Sequence, residues 1–182
     1  MRALKICSRF LVVLLSGLLA TGAANAEGFS FEMPTEKLRI IIPDIPKMVM
    51  QDHPNAALQK HARFMGSDST GYSISILTPT CDPGMGAEAC AGSTFKSLVS
   101  RYGLDVKNVT RWKNDSNTYV VLFPVRMDPL VQFKAYFLSG YGGTHCLEIH
   151  VSKTVTAKDR DALIAELTQW YKGFKDAKIE PM

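Results

Sequence analysis

The chain has 182 residues, of which 21 are lysine or arginine and 17 are aspartate or glutamate, so its formal net charge is +4. Three of the basic residues, Arg2, Lys5 and Arg9, lie in the first 26 positions, which hold no acidic residue, so the remainder carries 18 basic against 17 acidic side chains. A nearly neutral remainder without a basic run excludes an electrostatic basis for binding nucleic acid.

The N-terminal segment 1–26 has the organisation of a secretory signal peptide. Basic residues precede an apolar run over residues 10–20, and small residues lead to an Ala-Asn-Ala site that ends at Ala26. The apolar run is shorter than the roughly 20 residues that a membrane-spanning helix needs. Cys7 precedes this run and is therefore not placed to become a lipid-modified first residue of the mature chain.

The leader predicts an exported protein. We expect the mature chain to begin at Glu27, to form a single α+β domain over residues 27–182, and to be a periplasmic monomer or weak oligomer without membrane insertion. A eukaryotic secretory leader would look similar, and Asn-Val-Thr at 108–110 would then be a glycosylation acceptor.

The first half of the predicted domain has the patterns of strands. Residues 27–37 predict a loose arm or a first edge strand, whereas 38–46 contain three consecutive isoleucines, which favour a strand buried on both faces. Residues 57–65 and 71–79 flank a turn and predict a hairpin, because apolar residues in the second segment alternate with serines. The residues predicted to face inward are Tyr72, Ile74 and Ile76.

The middle of the chain predicts a short helix and then a meander. Residues 93–103 form the helix, capped by Ser93 or Thr94 and ended by Gly103. Its predicted apolar face consists of Phe95, Leu98, Val99 and Tyr102. Two further hairpins are predicted, with strands at 106–112, 118–125, 133–138 and 144–151.

A long amphipathic helix closes the chain over residues 156–174. Thr156 and Asp159 have the spacing of a capping box. The apolar stripe behind them consists of Leu163, Ile164, Leu167, Trp170 or Tyr171, and Phe174. The element order lacks the strand–helix–strand alternation of a parallel sheet, so we predict an α+β fold in which an antiparallel meander is flanked by the short helix and the long C-terminal helix, as an α/β/α sandwich.

The chain resembles the PsbP-like family in its element order and hydrophobic pattern. The resemblance covers most of the mature chain and rests on I-I-I-P-D-I-P near its start and on the run K-A-Y-F-L-S-G-Y-G-G-T-H-C-L-E-I-H-V-S-K before the final helix. It implies an antiparallel sheet between helices and a protein that binds other proteins, one branch of the family neutralising antibacterial effectors in the periplasm. It carries over no functional residue, since the family has no fixed catalytic motif.

The stretch C-D-P-G-M-G-A-E-A-C poses the question of what its two cysteines do. Neither the four-ligand spacing of a zinc site nor the C-x-x-C of a redox pair is present, so we predict no metal and no cofactor. In an oxidising compartment we expect a disulfide between Cys81 and Cys90. The alternative joins Cys146 to Cys81 or Cys90 and leaves the remaining cysteine free.

The run T-H-C-L-E-I-H-V places Cys146, Glu148 and His150 on one face of a predicted strand. A nucleophile or metal site is one interpretation of this row. The other is a partly polar sheet face on which Glu148 and His150 pair with neighbours across the strands. We favour the second, because catalytic groups usually converge from several elements, whereas these project in parallel.

Two loops are the predicted binding surfaces. A constrained loop loses less entropy on binding, and an exposed Met or Tyr can anchor in a partner's pocket. The candidate residues are Asp82, Met85, Glu88 and Tyr141. The chain lacks the sequence motifs of serine hydrolases, zinc proteases and nucleotide-binding loops.

These observations predict a non-enzymatic, secreted protein whose partner is another protein. An inhibitor or immunity factor of an envelope-acting effector is the leading hypothesis. The alternatives are a secreted enzyme that uses Glu148, His150 and a further group, and a structural accessory of an envelope complex.

Overall fold

The computed structural model describes residues 28–43, 45, 47–52, 56–80, 82, 85–114, 118–141, 145–156 and 160–182. The predicted leader with its cleavage site, Cys81 and Asp159 lie outside the described residues. Among the helices that are described, none is both long and apolar enough to cross a membrane.

The described residues form two antiparallel sheets. The smaller has the order β1-β2-β10, and the larger has the order β3-β4-β5-β9-β8-β7-β6. The strands are β1 (Phe29–Met33), β2 (Leu38–Ile42), β3 (Val49–Met50), β4 (Ala62–Ser67), β5 (Tyr72–Leu77), β6 (Thr110–Lys113), β7 (Tyr119–Met127), β8 (Leu130–Tyr141), β9 (His145–Thr156) and β10 (Lys178–Pro181). The helices are α1 (Ala56–Gln59), α2 (Ala87–Tyr102) and α3 (Arg160–Lys172), and a 3-10 turn spans Val106–Asn108.

The three predicted hairpins are present in the larger sheet. β4 pairs with β5, β6 with β7, and β8 with β9, all antiparallel. The alternation of β5 is correctly assigned, since Ile74 and Ile76 are fully buried and Tyr72 packs beside them. The predicted α+β fold with an antiparallel meander is therefore confirmed.

Alternating side chains put a hydrophobic core on each face of the larger sheet. Val120 and Leu122 of β7 face α3 and the smaller sheet, whereas Val121 and Phe123 face α2. Because β7 is covered on both sides, its sequence is a continuous apolar run rather than an alternating one. The sheet is thus the middle layer of the molecule.

The helix α2 starts earlier than predicted. It begins at Ala87, not at Ser93 or Thr94, so the second cysteine of the predicted loop belongs to its first turn. The small residues of A-E-A-C-A-G are compatible with a helix, but they lack the apolar periodicity from which a helix is predicted. The sequence pattern therefore did not indicate the early start of α2. The predicted end is correct, since Gly103 adopts φ 59° and ψ 38° and its N–H donates to the Val99 carbonyl.

The final helix starts later than predicted. Thr156 is the last residue of β9, where it pairs with Leu130 of β8, so the ladder continues through the predicted cap and α3 begins at Arg160. The strand β10, which follows α3, was not predicted, and it joins β2 in the smaller sheet. Ile40 and Ile42 of β2 are buried, but Ile41 is only half-buried, so that strand is not covered on both faces.

Candidate binding cleft

A cleft of about 490 Å³ lies between α2 and the adjoining ends of β5 and β9. Its helix side consists of a polar stripe at spacings of three and four residues, which places the side chains one above another on the helix. The stripe consists of Ser93, Thr94, Ser97 and Arg101. The predicted loop adds Asp82, which is exposed, and Met85, which is half-buried.

A disulfide between Cys90 and Cys146 closes the base of the cleft, with Cα atoms 5.9 Å apart. The predicted Cys81–Cys90 disulfide is therefore wrong, because a sulfur forms only one such bond. The early start of α2 is the physical reason, since it turns Cys90 toward the sheet. The bond joins residues 56 apart in sequence and so ties the first turn of α2 to the start of β9.

The sheet side of the cleft is held by the junction of β5 and β9. The Cys146 N–H donates to the Pro79 carbonyl at 3.0 Å, and Thr80 forms a bridge with His145. These contacts place Glu148, two residues further along β9, inside the cleft. The cleft floor is therefore regular sheet, and its opposite wall is a helix bonded covalently to that sheet.

Glu148 is an acid that the fold partly removes from water. Its direct neighbours across the strands are Leu77 on β5 and Leu138 on β8, both buried. Burial raises the pKa of Glu148 above its usual value, and the positive charge of Arg101 partly opposes that shift. The cleft thus holds a cation at its helix wall and an acid of reduced acidity at its floor.

A polar cluster continues from Glu148 along the same face of the sheet, under the end of α2. His150 stacks on Tyr136, directly across on β8, with ring centroids 4.4 Å apart and planes at 17°. The Lys134 Nζ lies 3.5 Å from His150 Nε2 and 5.2 Å from the ring centroid of Tyr102. The hydroxyl oxygens of Tyr102 and Tyr136 are 3.5 Å apart.

Burial dominates the electrostatics of this cluster. It lowers the pKa of His150 to about 3, with help from the charges of Lys134 and Arg101, so the imidazole is neutral near pH 7. Burial also lowers the pKa of Lys134, which is only 6% exposed. For Tyr102, burial alone would raise the pKa, but the hydrogen bond with Tyr136 and the charge of Lys134 lower it overall. Burial raises the pKa of Tyr136.

The predicted row on β9 is present, and its three members differ in their surroundings. Cys146 is in the disulfide, Glu148 faces the cleft, and His150 packs in the polar cluster. The predicted pairing across strands is confirmed for His150, which contacts Tyr136 and Lys134 of β8. It is wrong for Glu148, whose direct neighbours are leucines.

The predicted loop residues are divided between two sides of α2. Asp82 and Met85 line the cleft, whereas Glu88 is exposed and lines a separate groove on the other side of the helix. Tyr141 is the last residue of β8, where its backbone pairs with His145, and its side chain is not among those that the structure describes. The sequence patterns did not indicate Arg101 or the serines of the stripe as site residues. A usable signal was that Cys90, Ser93, Ser97 and Arg101 follow one another at intervals of three or four residues, which places them on one helix face.

Across the described ranges, no group of three or more His, Cys, Asp or Glu side chains is arranged to hold a metal ion. No protein-family model matches the chain, and no curated protein matches it at a significant level.

Proposed function

We propose that this is an exported periplasmic protein that binds another protein through the cleft and does not catalyse a reaction. The observation that carries the proposal is the Cys90–Cys146 bond, which fixes one wall of the cleft to its floor. A recognition surface that is already rigid loses little conformational entropy when a partner docks. Met85 at the rim supplies an adaptable apolar contact, and Arg101 supplies a charge for orientation.

The proposed compartment rests on the disulfide together with the leader-like segment 1–26. Disulfides persist in oxidising environments such as the periplasm and are rare in the cytosol. The Cys90–Cys146 bond is compatible with an oxidising compartment. Intact-mass measurement of the exported protein should give a chain that begins at Glu27, and a chain that retains the leader would contradict the assignment.

The pKa and the position of His150 support the proposal that the protein does not catalyse a reaction. An effective general acid or base has a pKa near the working pH, whereas the pKa of His150 is about 3. His150 is also absent from the cleft lining, so it does not join Glu148 there. The partner class, an envelope-acting effector that the protein inhibits, follows the resemblance to PsbP-like proteins.

Comparative capture tests this proposal. Mature protein, an Arg101→Glu variant and an Arg126→Glu variant are immobilised and exposed to the same envelope extract. Arg126 is exposed and lies on the opposite face of the sheet. Arg126→Glu therefore makes the same charge change as Arg101→Glu, but outside the cleft. We expect one partner to be retained by wild type and by the Arg126 variant and lost by the Arg101 variant. Equal retention by all three would remove the cleft from the interface.

A second candidate function is acid catalysis by Glu148, which the raised pKa of this cleft residue favours. The captured partner distinguishes the two functions. A non-catalytic binder leaves the partner's mass unchanged. A partner that is cleaved or modified by wild type but not by Glu148→Gln would establish the enzyme and contradict the first proposal.

A further inference from the structure

The strand β6 forms one edge of the larger sheet, on the far side of α2 from the cleft. An edge strand presents main-chain N–H and C=O groups that lack a partner within the sheet. Beside it lies an apolar groove of about 360 Å³ between α2 and the strands β6 and β7. Among the residues that the structure describes, none lines both this groove and the cleft.

The ladder shows which main-chain groups of β6 face the open edge. The Asn114 N–H donates to the Thr118 carbonyl at 3.0 Å, so this position is bonded toward β7. Antiparallel ladders alternate between bonded and non-bonded positions, so Trp112 shares the bonded state of Asn114. The N–H and C=O groups of Arg111 and Lys113 therefore point away from β7.

The side chains of the same two residues lie on the α2 face. The Arg111 guanidinium is 5.2 Å from the ring centroid of Phe95, and the Lys113 Nζ is 5.3 Å from that of Tyr119. Neither cation makes a salt bridge with a carboxylate in the described part of the chain. Across the groove, Glu88 is exposed on α2. The open edge is thus accompanied by two positive charges that are available to an incoming strand.

The opposite side of β6 is aromatic. Trp112 points to the α3 face, where its ring centroid is 4.8 Å from that of Tyr171 in an edge-on arrangement. Both side chains are half-buried. A strand added beside β6 would place alternate side chains against the two cations and against this aromatic pair.

We propose that the β6 edge is a docking site for an extended segment of a partner protein in which glutamates alternate with apolar residues. The added strand would bond to the outward main-chain groups of Arg111 and Lys113, and its glutamates would face their side chains. A second copy of this chain is the wrong occupant, because pairing two β6 edges would bring like charges together. This site is independent of the cleft.

The test uses the mature protein and a seven-residue peptide that alternates glutamate and valine. Amide hydrogen exchange followed by NMR is the readout, since an added strand protects specific N–H groups. We expect the peptide to slow exchange at Arg111 and Lys113 at least tenfold, while the amide of Trp112, which already faces β7, changes little. No protection at 1 mM peptide would overturn the proposal.

Two control peptides separate strand pairing from simple charge attraction. One carries lysine in place of glutamate, and the other carries N-methyl groups on alternate residues, which block main-chain pairing but retain the side chains. We expect neither to protect Arg111 or Lys113. Equal protection by the lysine peptide would refute charge selection, and equal binding of the methylated peptide would refute pairing to the edge.

Charge reversal completes the test. An Arg111→Glu/Lys113→Glu variant should prefer the lysine peptide over the glutamate peptide, and its thermal unfolding is measured to confirm that it folds. Lys47→Glu/Lys60→Glu makes the same charge change at two exposed positions near the other edge of the sheet and should keep the wild-type preference. An unchanged preference in the Arg111/Lys113 variant would refute the proposal, whereas the cleft is tested separately through Arg101.

Discussion

His150 is a histidine that the fold keeps neutral. Its pKa is lowered to about 3 because its surroundings desolvate the ring and Lys134 lies nearby, whereas an exposed histidine has a pKa of about 6.5. The unfolded chain therefore takes up a proton on this residue at a higher pH than the folded chain does. The stability that depends on neutral His150 is fully present above pH 6.5 and is lost as the pH falls toward 3.

A His150→Gln variant tests this pH dependence. Glutamine offers a carbonyl oxygen to the Lys134 ammonium and does not titrate. We expect the free energy of unfolding to fall between pH 7 and pH 4.5 in wild type and to fall less in the variant, as measured by denaturant unfolding. A His61→Gln variant controls for loss of a histidine elsewhere. An equal decrease in the free energy of unfolding of wild type and His150→Gln would show that His150 is not responsible for the pH dependence.

Glu148 has the opposite dependence on pH. Burial raises its pKa in the folded chain, so ionisation above the unfolded-state pKa disfavours folding. Glu148→Gln removes the charge while keeping the shape. We expect the variant to gain stability over wild type at pH 7 and to lose that advantage at pH 4, where the carboxyl is largely protonated in both states. A variant that is less stable than wild type at pH 7 would show that the charge is well compensated.

At the scale of elements, the disulfide connects α2 to β9 rather than closing a local loop. A bond that joins residues 56 apart removes unfolded-state entropy worth about 4 kcal/mol in the loop-closure model. Reduction is therefore expected to destabilise the fold itself. Breaking this bond releases the first turn of the helix from the sheet.

Replacing both bonded cysteines by serine measures this connection. We expect Cys90→Ser/Cys146→Ser to cost about 2–5 kcal/mol in unfolding free energy, measured with denaturant under non-reducing conditions. Cys81→Ser, which leaves the Cys90–Cys146 bond intact, is the matched control and should cost much less. An equal loss from Cys81→Ser, or peptide mapping that finds Cys81 bonded to Cys90, would contradict the pairing.

The C-terminal helix packs on the core with its predicted apolar face, except that Ile164 is 50% exposed. Leu167 is half-buried against the core, whereas Phe174, two residues beyond α3, is 3% exposed and contacts Trp170 and Phe137. Truncation to alanine therefore leaves a larger cavity at Phe174 than at Leu167.

Alanine substitutions at Phe174 and Leu167 should therefore differ in their cost to the free energy of unfolding. We expect Phe174→Ala to cost about 3–5 kcal/mol and Leu167→Ala about 1–2 kcal/mol, because a large cavity forms only in the first case. Chemical denaturation of both variants gives the comparison. A larger cost for Leu167→Ala would contradict this ranking.

For the molecule as a whole, more of the fold than of the cleft could be predicted from the sequence. The hairpins followed from alternation and turn residues, which are local features, as in the serine and isoleucine pattern of β5. The pairing of Cys90 with Cys146 depends on where α2 crosses the sheet, and no local pattern encodes that crossing. Arg101 enters the cleft only because the helix and β9 meet there.

Site-specific photocrosslinking in the periplasm tests whether the cleft contacts a partner protein. A photoreactive amino acid replaces Met85 at the cleft rim in one variant and Ile164, which is 50% exposed on α3, in the control. We expect a discrete crosslinked product from position 85 and none of that mass from position 164. The same product from both positions, or none from position 85 while the variant remains folded, would contradict this expectation.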